Sequence, residues 1–342
     1  MGNNFPRITN LKENPSSFEE TLKLVEKSFD YHSPFSFKED FGSLIEERNH
    51  HNCFILLDEN ENVIAHIGAK ERMIRIKENL HPVCMLGGIA VDEKHRGEGH
   101  FQTLFQDVLA EKRSDVAAFF LWSDQETLYK KYGFHLCGDQ FEIPKSSKTS
   151  TLQPTKFHLL NQKEQKQIEE LYQKSFASQY TTLDRTQADW DSLKEIKSAD
   201  LYIKKSGENI TDYFFMNKGQ DLTGIIYEYG SVTDLRAWLK EASSIGKIWL
   251  GQPLMDTENN QFQFFLAPAD MKHFSALIAD MTKGAMTVRN VNVMKQEVYF
   301  DFQDETLALD SEEFLRGIFG PGQFEEVDVA KYPLFISGLD SI

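Results

Sequence analysis

The residues best suited to chemistry in this chain of 342 residues lie between Gly87 and Leu109, in the run GGIAVDEKHRGEGHFQTLFQDVL. An apolar strand pattern ends at Val91, and Arg96, Gly97, Glu98, Gly99 and His100 follow as a turn. Phe101, Leu104, Phe105, Val108 and Leu109 then recur at helical spacing. Glycines at 97 and 99 let the backbone approach an anion closely, and the first N–H groups of a helix lack partners of their own. The helix dipole favours negative charge at the same place and Arg96 adds a positive one, so the turn suits a phosphate or pyrophosphate. Taken alone, RGEG reads equally well as an ordinary glycine turn that caps a helix. A second segment, LWSDQETLYKKYGF from Leu121, takes a strand into a short helix that carries Tyr129, with Gly133 and Phe134 behind it.

Both segments, in this order, resemble the GNAT superfamily of N-acetyltransferases. Its signature is Arg or Gln, two residues, Gly, one residue, then Gly or Ala; here these are Arg96, Gly99 and Phe101. Phe101 departs from the pattern, and it either crowds the pyrophosphate or turns into the core. Two-domain members related to the Eis acetyltransferases, which the chain distantly resembles, also tolerate bulk there. Tyr129, three residues, Gly133 and Phe134 match the family's later register, and the resemblance spans nearly all of residues 5 to 143.

The resemblance implies direct transfer of an acetyl group from acetyl-CoA, the cosubstrate, to a primary amine, with no metal. Ile89, Ala90 and Val91 would hold the pantetheine arm like an added strand, and Arg96 through Phe101 (Arg96, Gly97, Glu98, Gly99, His100, Phe101) would receive the phosphates. Tyr129 would act as general acid toward the departing thiolate. Ordinary phenol and thiol pKa values of about 10 and 8.5 make full proton transfer roughly 2 kcal/mol uphill, which leaves hydrogen bonding as its main contribution. The plainer reading of Tyr129 is a core residue with a satisfied hydroxyl. A general base is harder to place, because VCMLGG carries Met85 and Leu86 where some relatives have a carboxylate. Glu71, Asp124, His100, the carboxylate of Ile342 and ordered water are the candidates. A surface Glu, a helix-capping Asp and a solvated His are the alternative readings of the first three. The other functional readings are a non-catalytic acetyl-CoA-binding sensor or assembly module, and transfer of a longer acyl or an aminoacyl group.

The elements that must position these residues follow from periodicity. A strand is expected near Arg7–Thr9, a helix over FEETLKLVEKSF, a second helix over FKEDFGSLIEE, and three strands through Val91 separated by DENEN and ENLHP. The helix from about Gly99 to Arg113 leads into strand VAAFFLW, a short helix at Glu126–Lys131 and a last pair of strands through Phe141. PKSSKTSTLQPT then reads as a linker.

The second half repeats the order: strand KFHLL, two helices, strands LYIKK, TDYFFMN and TGIIYEYG, a helix, strands KIWLG and FQFFLAP, and a helix over 270–281. The expected fold is therefore α/β (α+β), with two GNAT-like domains, each a mixed, largely antiparallel sheet flanked by helices. The domains are residues 1–147 and, after a linker at 148–156, a degenerate second domain with a C-terminal extension at 157–342. FFLAPADMKHF offers Pro268 and Asp270 in place of phosphate-binding glycines, so no CoA site is expected in the second half. Its task is to wall off the acceptor cleft or to support a homo-oligomer, with Trp190, Trp238 and Trp249 read as core. The terminal YPLFISGLDSI looks too organised for a free tail.

Fifty-three acidic against 37 basic side chains give a formal charge of −16, which argues against nucleic acid. The charge favours a cationic small-molecule or peptide amine, or simply keeps the chain soluble. No apolar run approaches the ~20 residues that span a bilayer, and the N-terminus lacks a secretory pattern, so a cytoplasmic protein is expected. Cys53, Cys84 and Cys137 lack metal-ligand spacing and read as buried small hydrophobes.

Overall fold

The computed structural model describes residues 6–254, 257–322 and 333–342, with only the backbone described for 258–260. The N-terminal MGNNF and Tyr332 of the expected tail lie outside the described residues. The first half runs β1 (Arg7–Asn10), α1 (Phe18–Ser28), β2 (Cys53–Leu57), β3 (Val63–Ile76), β4 (Asn79–Val91), α2 (His100–Lys112), β5 (Ala118–Leu121), α3 (Glu126–Lys130) and β6 (His135–Ile143). The second half runs α4 (Gln162–Leu171), β7 (Thr182–Asp184), α5 (Gln187–Lys194), β8 (Asp200–Ser206), β9 (Asn209–Met216), β10 (Ile225–Ser231), α6 (Leu235–Ala242), β11 (Lys247–Leu250), β12 (Glu258–Pro268) and α7 (Met271–Met281). A three-stranded sheet of β13 (Met286–Asn292), β14 (Glu297–Phe302) and β15 (Glu305–Asp310) follows, and α8 (Ser311–Phe319) packs against β6.

The two halves share one sheet, ordered β1-β2-β3-β4-β5-β12-β6-β11-β10-β9-β8, with β7 on the outer part of β3. Within each half one parallel contact occurs, β4 with β5 and β10 with β11, and the remaining pairings are antiparallel. The halves exchange their last strands. β12 pairs with β5, β6 pairs with β11, and β6 and β12 lie antiparallel at the centre. This differs from a last pair of strands closing the first half on its own: one strand, β6, comes from that half and its companion comes from residues 258–268. Helices cover both faces around β3, whose first eight residues are all buried before alternation begins at Glu71.

Two local expectations change. KFHLL is a 3-10 turn over Phe157–Leu159; Phe157 and Leu160 are buried and Leu159 is 68% exposed, a spacing of three that no strand gives. FKEDFGSLIEE forms two short helical turns, Phe37–Asp40 and Gly42–Ile45, although Phe37, Phe41, Leu44 and Ile45 stay buried at helical spacing. The three cysteines are free and buried, as read from the sequence. Trp190 and Trp238 are core residues, whereas Trp249 is only partly buried.

Candidate active site

The site begins where a strand pair stops pairing. β4 and β5 are joined only at Val83–Ala118, Cys84–Phe119 and Met85–Phe120. Beyond those residues β4 stays on β3 while Leu121 pairs with Phe265 of β12, so the two strands splay. A bulge enlarges the gap: His66 faces Ala90 and Gly68 faces Gly87, which leaves one extra residue on β4. Gly88 takes φ +58° there, and a Cβ on it would lie 3.2 Å from both the His66 ring and Phe37. His66 Nδ1 donates to Gly88 O at 2.7 Å and fixes the bulge. Burial of the imidazole drives its pKa down to about 4, so it is neutral, and that proton sits on Nδ1. The sequence reading missed His66; its signal was the Gly87–Gly88 pair on the facing strand.

The gap opens into a cleft of about 980 Å³. Ile89, Ala90, Val91, Arg96, Phe101 and Tyr129 all line it, as do Asp124 and Ile342. Gly97, Glu98, Gly99 and His100 stand at its rim rather than in its lining, forming the turn into α2. Gly97 and Gly99 both have φ +84°, and a Cβ on either would meet nothing within 4 Å. The turn therefore needs glycine for its conformation and leaves open space in front of the helix start. Helix geometry leaves the N–H groups of His100, Phe101 and Gln102 without intrahelical acceptors. Arg96 is exposed and its Nε donates to Val91 O at 3.3 Å, which ties the guanidinium to the end of β4. This turn fits an anionic group, with Arg96 and the bare N–H groups as its holders.

Phe101 turns inward. Its ring stacks on Phe105 at 4.9 Å and meets Tyr129 and Tyr132 edge-on at 6.0 and 5.9 Å. Tyr129 itself is 5% exposed, wedged against Phe105, Phe134 and Phe265. Burial pushes its phenol up to about 12, with Asp124 acting in the same direction and a hydrogen bond with the Ser123 side chain opposing. The ring of Tyr129 belongs to the core, and its hydroxyl bonds with Ser123, which lines the cleft with it.

The base candidates separate clearly. Glu71 is corrected: its carboxylate pairs with Lys112 Nζ at 3.0 Å, half exposed and outside the cleft. His100 stands at the rim, its Nε2 3.0 Å from a Glu98 carboxylate oxygen. Asp124 does line the cleft, and it does not cap α3; Ser123 Oγ accepts from Gln125 N at 3.0 Å instead. Ile342 lies nearest the bulge, because a Cβ on Gly87 would come within 2.7 Å of its carbonyl carbon and oxygen.

The second half supplies the opposite wall through Asp221, Leu222, Phe262 and Gln263, which the sequence reading did not single out, and through Trp249, which it read as core. Its strand–helix–strand unit equivalent to β4, α2 and β5 is β10, α6 and β11, not the FFLAPADMKHF segment. Asp234 caps α6 by accepting from Ala237 N at 3.0 Å, and Asp270 likewise caps α7. Each of these helix starts carries a carboxylate where α2 has bare N–H groups.

Residues 10–137 match the sequence model of the acetyltransferase (GNAT) domain. No curated protein sequence matches the chain. Among solved structures the fold is similar to Eis1 from Mycobacterium abscessus, at TM-score 0.59 and 13% identity over 92% of this chain and 90% of that one. An Enterococcus faecalis protein described as a probable N-acyltransferase gives 0.58 and 14% over 89% and 84%. Saccharomyces cerevisiae N-myristoyltransferase with bound myristoyl-CoA gives 0.51 and 10% over 78% and 84%. Among the described residues no helix is long and apolar enough to cross a membrane. The segment that matches the acetyltransferase (GNAT) domain model, residues 10–137, holds the Arg96 turn, the splayed strands and Tyr129 together.

Proposed function

We propose that the protein is an acetyl-CoA-dependent N-acetyltransferase that acts on a primary amine of a small molecule or peptide. The observation that carries this reading is that one cleft is lined by Arg96, the splayed edge of Ile89–Val91, Tyr129 and Ile342. Acetyl-CoA supplies an activated thioester. Arg96 and the N–H groups at the start of α2 bind its phosphates, and the free edge of β4 orients the pantetheine arm by strand-like pairing.

The amine nitrogen attacks the thioester carbonyl, the new C–N bond forms, and the C–S bond breaks. Tyr129 faces the departing sulfur. At a pKa of about 12 its phenol would give up a proton to a thiolate of ordinary pKa 8.5 only at a cost of about 5 kcal/mol. It therefore stabilises the thiolate as a hydrogen-bond donor and keeps its proton. With Ile342 as the terminal residue, its α-carboxylate, above Gly87, would take the proton that the amine loses, directly or through water. Asp221 and Asp124 give the acceptor side an acidic character that suits a cationic substrate. The second half serves as the acceptor wall.

Replacing Tyr129 by Phe tests the assignment. The variant should bind acetyl-CoA with unchanged Kd and lose roughly 10- to 1,000-fold in kcat for amine-dependent thiol release. Full kcat in Tyr129→Phe across several amines would remove Tyr129 from the mechanism.

A further inference from the structure

Lys218 is a buried lysine that the reaction above does not use. It follows β9 in a loop of the second half and is 1% exposed. Its Nζ donates to three carbonyls of one turn of the tail, Gly338 O at 3.1 Å, Leu339 O at 3.1 Å and Ser341 O at 2.5 Å, and lies 3.3 Å from Ser341 Oγ. The Phe41 ring, from the first half, sits 4.6 Å beneath it. These carbonyls belong to the 3-10 turn Gly338–Asp340 and the residue after it; within the turn Gly338 O also accepts from Ser341 N and Oγ, at 3.3 and 2.7 Å. An ammonium with three donors satisfies them as no apolar side chain would.

Burying a cation against carbonyls rather than a paired carboxylate costs stability, and an apolar core residue would serve packing alone better. The tail is already fixed by other means. Asp340 is fully buried between Arg185, at 2.7 Å, and Arg72, at 3.2 Å, and Ser337 Oγ donates to Glu228 at 2.5 Å. Gln263 pairs with both the N–H and the carbonyl of Ile336, at 3.1 and 2.8 Å. Those bonds hold residues 336–340; Lys218 reaches Ser341, one residue before Ile342.

We infer that Lys218 is a positioning residue for acyl transfer: by gripping Ser341 and the turn before it, it holds the main chain of Ile342 over Gly87 at the head of the splayed strands. The inference rests on the role proposed above for Ile342, and it gives the second half a task in the chemistry, that of aiming the tail.

A double-mutant cycle tests it, combining Lys218→Met with deletion of Ile342 and reading kcat for thiol release, the Kd of acetyl-CoA and thermal unfolding. Lys218→Met alone should lower kcat roughly 10- to 100-fold, as expected for a displacement of about 1 Å, with Kd unchanged within about 3-fold. In the chain lacking Ile342 the same substitution should lower kcat no further. Full kcat in Lys218→Met, or an equal further loss in the shortened chain, would overturn the positioning role. Deletion of Ile342 with no loss of kcat would instead overturn the underlying role of the tail carboxylate, and the positioning role with it. Lys218→Gln, which keeps two N–H donors, enters the same cycle if Lys218→Met does not fold, with a smaller loss expected and the same criteria applied.

Discussion

Gly87→Ala perturbs the proposed centre by the smallest step available. The backbone at Gly87 is not in the left-handed region, so alanine brings no conformational strain, only a methyl group. That methyl would stand 2.7 Å from the carbonyl carbon and oxygen of Ile342, whereas ordinary contact begins at 3.4 Å. The tail must retreat by at least the difference, 3.4 − 2.7 = 0.7 Å, and a main-chain group cannot yield as a side-chain tip does. Misplacement of about 1 Å costs a reacting group up to about 100-fold, so kcat should fall roughly 10- to 100-fold. Crowding itself should cost about 1–3 kcal/mol of stability. Gly68→Ala is the matched control: Gly68 faces Gly87 across the β3–β4 pair, but its methyl would press at 2.8 Å on the flexible end of Leu44. Thiol release at saturating amine, calorimetric titration of acetyl-CoA and thermal unfolding of both variants separate the effects. Equal kcat in the two variants, or a loss of acetyl-CoA affinity as large as the loss of kcat in Gly87→Ala, would refute the placement of Ile342 at the reacting centre.

Arg96→Ala should weaken acetyl-CoA binding about 10-fold, the worth of one charge-assisted contact, and the loss should shrink for a CoA fragment lacking the phosphates. Calorimetry with both ligands checks this. His66 bears on acid stability. Its folded pKa is lowered to about 4 from 6.5, so between these values the unfolded chain binds more protons and stability falls as pH falls, by up to about 3 kcal/mol. His66→Gln keeps an N–H donor for Gly88 O, and its urea midpoint should drop less than that of the parent between pH 7 and 4.5. Equal acid sensitivity would mean that His66 is already charged or exposed.

The phosphate turn and Tyr129 were legible in sequence because each is a local spacing: Arg96 to Gly99 lies within one turn, and Tyr129 to Gly133 runs from the end of a short helix into the turn after it. Their meeting in one cleft depends on the splay of β4 from β5, which the strand patterns imply only through the family resemblance. The exchange of β6 and β12 was not legible. It joins residues more than a hundred positions apart, and FQFFLAP carries the same alternation whichever strand it pairs with. Phe101 was ambiguous in sequence, because an aromatic at the first turn of a helix can face either way; its stacking on Phe105 decides the matter. Trp249 looked like core for its size, yet its position on the short strand β11, beside the opened sheet, leaves it partly in the cleft. The tail's organisation was visible in its apolar residues, whereas its anchors, Arg72, Arg185 and Lys218, are scattered through the sequence and carry no spacing signal.

The most direct test of the account is calorimetric titration of acetyl-CoA into the intact protein, followed in the same samples by thiol release on adding polyamines, aminoglycosides and lysine peptides. Saturable binding and thiol release that depends on an amine are expected. Binding with no release for any amine would make the chain an acetyl-CoA-binding module and contradict the transferase reading, and absence of binding would contradict the assignment of the cleft itself.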